Sequence, residues 1–129
     1  LEINNDYIII SKYRFETAGF LAMEKLFERK DRPTTILAAY DYIALGIIQS
    51  IRSRGFNVPD DFSVIGIDDI SLNTYYNISL TSIKSNKTEI CDLITELLFK
   101  KIENKYYRMI QNITIKGELI IRNSVKKIN

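Results

Sequence analysis

Three acidic side chains stand at places where a carboxylate could bind a small polar molecule. Asp41 closely follows the apolar run ILAA (36–39), and Asp68 and Asp69 follow the run FSVIGI (62–67). A carboxylate beyond the end of a strand can accept hydrogen bonds from sugar hydroxyls or bind a cation. We expect Asp68 to contact a ligand. Asp41 is expected to cap the helix that it opens, and Asp69 to belong to a turn or a helix start.

Aromatic residues form a second set of candidates for ligand binding. Tyr13, Phe15 and Tyr40 all lie in predicted loops that follow strands. Flat aromatic faces in such loops can stack on a sugar or a base. Core packing or partial exposure accounts for each ring taken alone just as well.

Both sets of candidates depend on a strand–helix–strand unit between residues 36 and 70. The run ILAA predicts a strand buried on both faces, and Ala44, Ile47, Ile48 and Ile51 recur at the spacing of a helix core face. Gly55 provides a left-handed helix end, and FSVIGI predicts the second strand. Because parallel strands end at the same edge of a sheet, Asp41 and Asp68 should face one crevice, where open α/β sheets bind ligands.

The remaining segments extend this alternation into an α/β fold with a parallel sheet sandwiched by helices. A helix is predicted over 16–29, where Gly19 allows close packing. A second helix is predicted from the capping residue Asn86 to about Asn104. Apolar residues of this second helix, including Cys91, should face the core. Further strands are predicted at 5–11, 80–83 and, as one or two strands around Gly117, at 113–121.

The composition limits the function classes that are open to the chain. Its 129 residues suit one domain, and 18 basic and 16 acidic side chains give a net charge of +2. The charges are interleaved, so there is no electrostatic footprint for a nucleic acid or an anionic membrane. A single cysteine suits a reducing cytosol, and the absence of histidine removes the commonest general base and zinc ligand. The longest apolar runs are far short of a membrane span.

Five motifs occur in an order and at separations that are typical of one protein family. They are RPTTI (32–36), AAYDYIALG (38–46), NVPDDFSVIGIDD (57–69), LTSIK (80–84) and ELIIRNS (118–124). Together they resemble the effector-binding domain of LacI/GalR-type transcriptional regulators, over essentially the whole chain.

The resemblance implies an architecture and a role. Regulators of this type join a helix-turn-helix to a two-lobed domain shaped like periplasmic sugar-binding proteins, and a small effector binds between the lobes. Residues 1–129 would be most of the C-terminal lobe, without the DNA-binding domain, the first lobe and the opening helix of the second. The chain would then be a cytoplasmic, dimeric sensor of a sugar or sugar derivative. It would have no catalysis, no cofactor and no membrane contact, and it would reach operator DNA only through the missing domain.

The resemblance also assigns residues one at a time. Asp68 matches the aspartate that binds effector hydroxyls, and Tyr40 stands where the family usually has an asparagine that contacts the sugar. Ser85 matches another pocket position, and Arg14 or Phe15 lies near the aromatic wall. The dimer interface of the family corresponds to Leu45 and Tyr76, which we expect to lie outside the core.

Two other functions remain open from the sequence. One is a solute-binding protein of a sugar uptake system, which shares the fold and would begin with a signal peptide. The other is a flavodoxin-like phospho-acceptor or enzyme in which Asp68 and Asp69 hold Mg²⁺.

Overall fold

Four strands form a single mixed sheet in the computed structural model, which describes residues 5–70, 79–104 and 110–127. In sheet order they are β1 (Thr35–Leu37), β2 (Ser63–Ile67), β3 (Thr81–Lys84) and β4 (Glu118–Ile120). The first three are parallel, and β4 runs antiparallel to β3. The α/β class predicted from the sequence is confirmed, but the sheet is mixed because its last strand reverses direction.

Three α-helices accompany the sheet in the described part of the chain: α1 (Phe15–Phe27), α2 (Asp41–Ser53) and α3 (Lys87–Glu103). Helices α1 and α2 cross at two glycines. A Cβ atom on Gly19 would collide with the Ile43 carbonyl oxygen, and one on Gly46 would collide with the Glu16 carbonyl oxygen. Each glycine therefore lets the backbone of the other helix approach, which confirms the close packing predicted at Gly19.

The core lies between the α1–α2 pair and one face of the sheet. Helix α2 contributes most of it, and Val64 and Leu80 add the sheet side. Along β2, Val64 and Gly66 are buried, whereas Ile65 and Ile67 are only half-buried on the opposite face. Alternation along the strand thus separates a closed face from a partly open one. The core residues are Met23, Leu26, Ala38, Ala44, Leu45, Ile47, Ile48, Ile51, Phe62, Val64 and Leu80.

The predicted strand at 5–11 is wrong. Asn5–Tyr7 forms a short 3₁₀ turn, and residues 8–14 join neither helix nor strand. The Tyr7 hydroxyl bonds the Asp31 carboxylate at 3.3 Å, and the Arg29 guanidinium lies over the Tyr7 ring, 5.0 Å from its centroid. Ile10 remains 86% exposed. Without pairing to a neighbouring strand, β-forming residues alone do not produce a strand.

Helix α3 has the predicted start but not the predicted burial. The Asn86 side chain accepts a hydrogen bond from the Glu89 amide at 3.3 Å, as a capping residue should. No described residue of α3 is buried, and Cys91 is exposed, so its expected place in the core is wrong. Within the described residues, no helix or strand packs extensively against α3. The apolar periodicity predicted the helix correctly, but it could not indicate what covers it.

The remaining boundaries agree with the sequence to within one or two residues, except that the strand predicted from residue 113 begins only at Glu118. Gly55 has φ of 80° just beyond α2, which confirms the left-handed helix end. β3 lies one residue beyond the predicted 80–83, and the segment around Gly117 gives the single strand β4. None of the helices within residues 5–70, 79–104 and 110–127 combines the length and apolar character needed to span a bilayer.

Candidate functional site

The carboxyl ends of β1, β2 and β3 meet at one edge of the sheet, and Asp41 lies at the centre of that edge. It opens α2 directly after the β1 loop, and its side chain is 1% exposed. Its Oδ1 accepts a hydrogen bond from the Ser82 hydroxyl at 2.7 Å, and its Oδ2 accepts one from the Ile70 amide at 2.8 Å. The expected helix cap is therefore wrong, because both oxygens bind other segments of the chain.

The environment of Asp41 shifts its acidity. Burial raises the pKa of its carboxyl above the usual value. The hydrogen bonds from Ser82 and Ile70 act the other way, since they stabilise the charged form, and the nearby charges of Asp68 and Asp69 raise the pKa again. Its place in the first turn of α2 favours the carboxylate, because a helix N-terminus carries positive partial charge.

Asp68 and Asp69 form the turn that leaves β2, and both have left-handed backbones, with φ of 106° and 50°. The Asp68 amide donates to the Ile83 carbonyl at 2.9 Å, which continues the pairing of β2 with β3. The Asp69 amide donates to the Ser82 hydroxyl at 3.1 Å. The turn is therefore fixed through its backbone, and the Asp68 side chain, half-buried, has no hydrogen bond to any other described residue.

Asp69 has a structural partner. Its Oδ1 pairs with the Arg122 guanidinium at 2.6 Å, and Arg122 also donates to the Leu80 carbonyl at 2.7 Å. This ion pair ties the turn after β2 to the segment after β4. The expectation that Asp69 belongs to a turn or a helix start stays a prediction, since residues 71–78 lie outside the described part of the chain, and the charge of Asp69 is already paired with Arg122.

Tyr40 and Phe15 are joined directly. Tyr40 precedes Asp41, and its hydroxyl accepts a hydrogen bond from the Phe15 amide at 3.0 Å. The Arg14 side chain does not cap α1, so the Tyr40 hydroxyl satisfies an N-terminal amide of that helix. Phe15 has a left-handed backbone with φ of 55°, and its ring is 46% exposed.

An aromatic surface surrounds Phe15. Its ring makes T-shaped contacts with the rings of Tyr40 and Tyr42, with centroids 6.1 and 5.7 Å away. The Arg14 guanidinium lies over the Phe15 ring, 5.2 Å from the centroid. Sequence reasoning found Tyr40, Phe15 and Arg14 but missed Tyr42. Two positions beyond Tyr40 and at the start of a helix, Tyr42 could have been recognised as a neighbour.

Ser85 reaches the same edge of the sheet. The pairing of Ile67 with Ile83 places Asp68 beside the end of β3, and Ser85 follows that strand directly. Ser85 is half-buried, and its carbonyl accepts a hydrogen bond from the Lys87 amide at 2.9 Å at the start of α3. The loops that hold Tyr40, Asp68 and Ser85 therefore follow three adjacent parallel strands. Tyr13 instead lines a separate surface cavity of about 500 Å³ beside α1.

Two of the three carboxylates at this edge are already engaged by other groups of the chain. Both oxygens of Asp41 accept hydrogen bonds from the chain, and Asp69 is paired with Arg122. Among the residues that the structure describes, no group of three or more His, Cys, Asp or Glu side chains could hold a metal ion. The geometry offers instead a carboxylate, a hydroxyl and an aromatic surface, which suit a polar ring bearing hydroxyl groups.

The two residues expected at a dimer interface have different outcomes. Leu45 is completely buried in the core between α2 and its neighbours, so the expectation that it lies outside the core is wrong. Its helical position faces inward together with Ala44 and Ile48, and its side chain is not available to a partner. Tyr76 lies outside the described residues.

Comparisons with known proteins show which proteins this chain resembles. Residues 3–125 match the model of the periplasmic binding protein-like domain. The chain is 36% identical over 128 residues to the HTH-type transcriptional repressor PurR of Mannheimia succiniciproducens, covering 99% of the chain and 38% of that protein. It is 37% identical over 100 residues to an arabinose metabolism transcriptional repressor of Geobacillus stearothermophilus, covering 78% of the chain and 28% of that protein.

Solved structures give the same result. A LacI family transcriptional regulator from Enterococcus faecalis V583 with bound ribose superposes with a TM-score of 0.78 at 25% identity, over 93% of this chain and 44% of that one. A LacI-family regulatory protein from Corynebacterium glutamicum has a TM-score of 0.70 at 28% identity, over 86% and 42%. The chain therefore spans less than half the length of these relatives. The resemblance to LacI-type regulators inferred from the five motifs is confirmed.

Proposed function

The chain belongs to the periplasmic binding protein-like domain family, and we propose that it is the effector-sensing lobe of a cytoplasmic transcriptional regulator of the LacI/GalR type. In this proposal residues 1–129 form the C-terminal lobe of the sensor. A small effector binds between the edge formed by the loops after β1, β2 and β3 and a second lobe. The lobe binds and signals without catalysis.

The observation that supports this proposal most is the state of the Asp68 carboxylate. It is presented by a turn whose backbone is fixed, while the neighbouring carboxylates of Asp41 and Asp69 are occupied by Ser82, Ile70 and Arg122. A carboxylate without a described partner, in a half-buried position beside polar loops, can accept two hydrogen bonds from adjacent hydroxyls. Asp68 therefore contributes polar recognition, and the exposed ring of Phe15 contributes a flat apolar surface.

We assign the effector to the sugars and sugar derivatives. A sugar presents vicinal hydroxyls to a carboxylate and an apolar ring face to an aromatic side chain. The ribose bound by the Enterococcus faecalis relative and the arabinose-related name of the Geobacillus stearothermophilus relative support this class. Tyr40 gives the pocket a different shape from that of relatives with asparagine at this position. Its hydroxyl already accepts a hydrogen bond from the Phe15 amide, so it can donate one to a ligand.

The partners follow from the same proposal. Operator DNA is bound through a helix-turn-helix elsewhere in the protein, since the matched relatives are HTH-type repressors of more than twice this length. The regulator is a homodimer, and its interface includes Tyr76. Leu45 has no part in that interface, because its side chain is completely buried.

Replacement of Asp68 in the full-length protein tests the effector site. Pentoses, hexoses, disaccharides and nucleobases are first screened by thermal shift, and the best ligand is then titrated by calorimetry. Asp68→Gly removes the carboxylate and keeps the left-handed backbone without steric cost. We expect it to weaken binding by about 1–3 kcal/mol, because the ligand hydroxyls lose their acceptor.

Asp60→Ala is the matched control. Asp60 is exposed, and among the described residues its carboxylate pairs with the exposed Lys126 ammonium at 3.1 Å, so its loss should leave the affinity unchanged. Equal affinities for the wild type and Asp68→Gly would remove Asp68 from the site. Tight Mg²⁺ binding that is lost in Asp68→Asn would favour the phospho-acceptor instead. A signal peptide at the start of the full gene product would favour a transport protein.

A further inference from the structure

The turn that presents Asp68 adopts a backbone that it would not keep by itself. Asp68 and Asp69 are consecutive non-glycine residues with φ of 106° and 50°. Residues other than glycine rarely adopt positive φ values, although aspartate tolerates them better than most. Such a conformation persists only where the surrounding structure determines it.

Two buried side chains form hydrogen bonds with the backbone of this turn. The Asp69 amide donates to the Ser82 hydroxyl at 3.1 Å, the Ser82 hydroxyl donates to Asp41 Oδ1 at 2.7 Å, and the Ile70 amide donates to Asp41 Oδ2 at 2.8 Å. Successive amides of the turn are thus held by a hydroxyl and a carboxylate that are themselves bonded together. Both Asp41 and Ser82 are 1% exposed, so neither side chain is open to solvent or to a ligand in the described structure.

Gly66 of β2 leaves room for the Asp41 carboxylate. A Cβ atom on Gly66 would collide with Asp41 Oδ1 and would lie 3.0 Å from the Leu80 side chain. The carboxylate therefore occupies the space above the glycine of β2. Helix α2 supplies the carboxylate, β2 supplies the space and β3 supplies the hydroxyl, so three elements meet at Asp41.

We propose that Asp41 and Ser82 are positioning residues that hold the Asp68–Asp69 turn in its left-handed conformation and thereby set the affinity for the effector. They act through the backbone of residues 69 and 70 and do not touch the ligand. The part of this inference that concerns affinity rests on the proposed effector site, and the part that concerns the turn does not.

The decisive variant in the full-length protein is Ser82→Ala, which removes the acceptor of the Asp69 amide and the donor to Asp41. Hydrogen exchange of the Asp69 and Ile70 amides, measured by NMR, should accelerate about tenfold or more, because local opening becomes easier. Affinity for the sugar selected in the screen should fall by about tenfold. Asp41→Asn should have an intermediate effect on exchange and on affinity. The side-chain oxygen of the asparagine can still accept a hydrogen bond from the Ile70 amide, while its NH₂ group faces Ser82.

Ser50→Ala is the matched control. Ser50 is completely buried like Ser82, and its hydroxyl donates to the Glu24 carboxylate at 2.7 Å between α1 and α2. Its removal should lower the overall stability to a similar extent. Exchange at Asp69 and Ile70 and affinity for the sugar should both stay as in the wild type.

The outcomes separate the inference from the proposed function. Wild-type exchange at both amides in Ser82→Ala overturns the inference, whatever the ligand does. Accelerated exchange with wild-type affinity overturns the link to effector binding. If no molecule of the screen binds the wild type, the proposed function fails, and exchange alone decides whether Ser82 holds the turn. Equal losses of affinity in Ser82→Ala and Ser50→Ala also count against the inference, since they would reflect general destabilisation.

Discussion

At the scale of single residues, side chains at this site act on the backbone of distant segments. The Tyr40 hydroxyl accepts the amide of Phe15, 25 positions away in the sequence, where α1 begins without a side-chain cap. Asp41 holds the amide of Ile70, which is 29 positions away. Adjacent residues of one loop thus fix an aromatic residue on one side and an acidic turn on the other.

Tyr40→Phe tests the first of these contacts. The variant keeps the ring but leaves the Phe15 amide to water, so exchange of that amide should accelerate several-fold. Stability should fall by no more than about 1 kcal/mol, because Phe15 is partly exposed and water can replace the lost bond. Tyr42→Phe is the control, since Tyr42 contacts Phe15 only through its ring. Unchanged exchange at Phe15 in Tyr40→Phe would show that the hydrogen bond does not hold the start of α1.

The sequence predicted the residue types of the site better than their partners. It placed Asp68 and Tyr40 at one sheet edge because strand order and direction follow from local patterns. Phe15 reaches that edge through its bond to Tyr40 and not through the strand predicted at 5–11, and Tyr13 lines a separate cavity. It assigned Asp41 to a helix cap, since a cap is the local use of an aspartate at a helix start. The actual donors to its carboxylate are the Ser82 hydroxyl and the Ile70 amide, and no local pattern indicates which distant donors will reach a carboxylate.

At the scale of elements, α2 and α3 show how similar apolar patterns lead to different environments. Leu45 in α2 is completely buried, whereas Leu98 in α3 is 55% exposed. Both belong to runs with helical apolar spacing. Periodicity identifies a helix and its apolar face, but burial depends on whether another element covers that face.

A pair of leucine truncations measures the difference. Leu45→Ala should lower the free energy of unfolding by about 2–5 kcal/mol, because it leaves a cavity among tightly packed neighbours. Leu98→Ala should cost less than about 1 kcal/mol, since the side chain is already largely in water. Urea denaturation of both variants gives the comparison. Equal losses would show that Leu98 is covered in solution by a segment or partner that the described residues do not include.

At the scale of the whole molecule, the fold class and the order of most elements could be predicted from the sequence. Which apolar surfaces are buried could not. The alternation of strands and helices gave the α/β class, and the motifs gave the family. The predicted strand at 5–11 does not form, and no described helix or strand packs extensively against α3. Both outcomes depend on which surfaces meet, which is a tertiary property. The exposed apolar side chains of α3 include Ile94, Leu98 and Ile102, which are 60%, 55% and 65% exposed on successive turns.

Measurements of self-association can distinguish two contacts between copies of the chain. One is the proposed dimer interface at Tyr76, and the other is the apolar stripe formed by Ile94, Leu98 and Ile102. If Tyr76 lies in a two-fold interface, Tyr76→Asp places a carboxylate close to its own copy and desolvates both, so the dimer should dissociate. Leu98→Glu adds a charge to the stripe instead and should reduce only association beyond the dimer at high concentration. Sedimentation velocity of both variants over a range of concentrations gives the comparison. A dimer that survives Tyr76→Asp but dissociates in Leu98→Glu would assign the interface to α3, because only a contact across the stripe responds to a charge at Leu98.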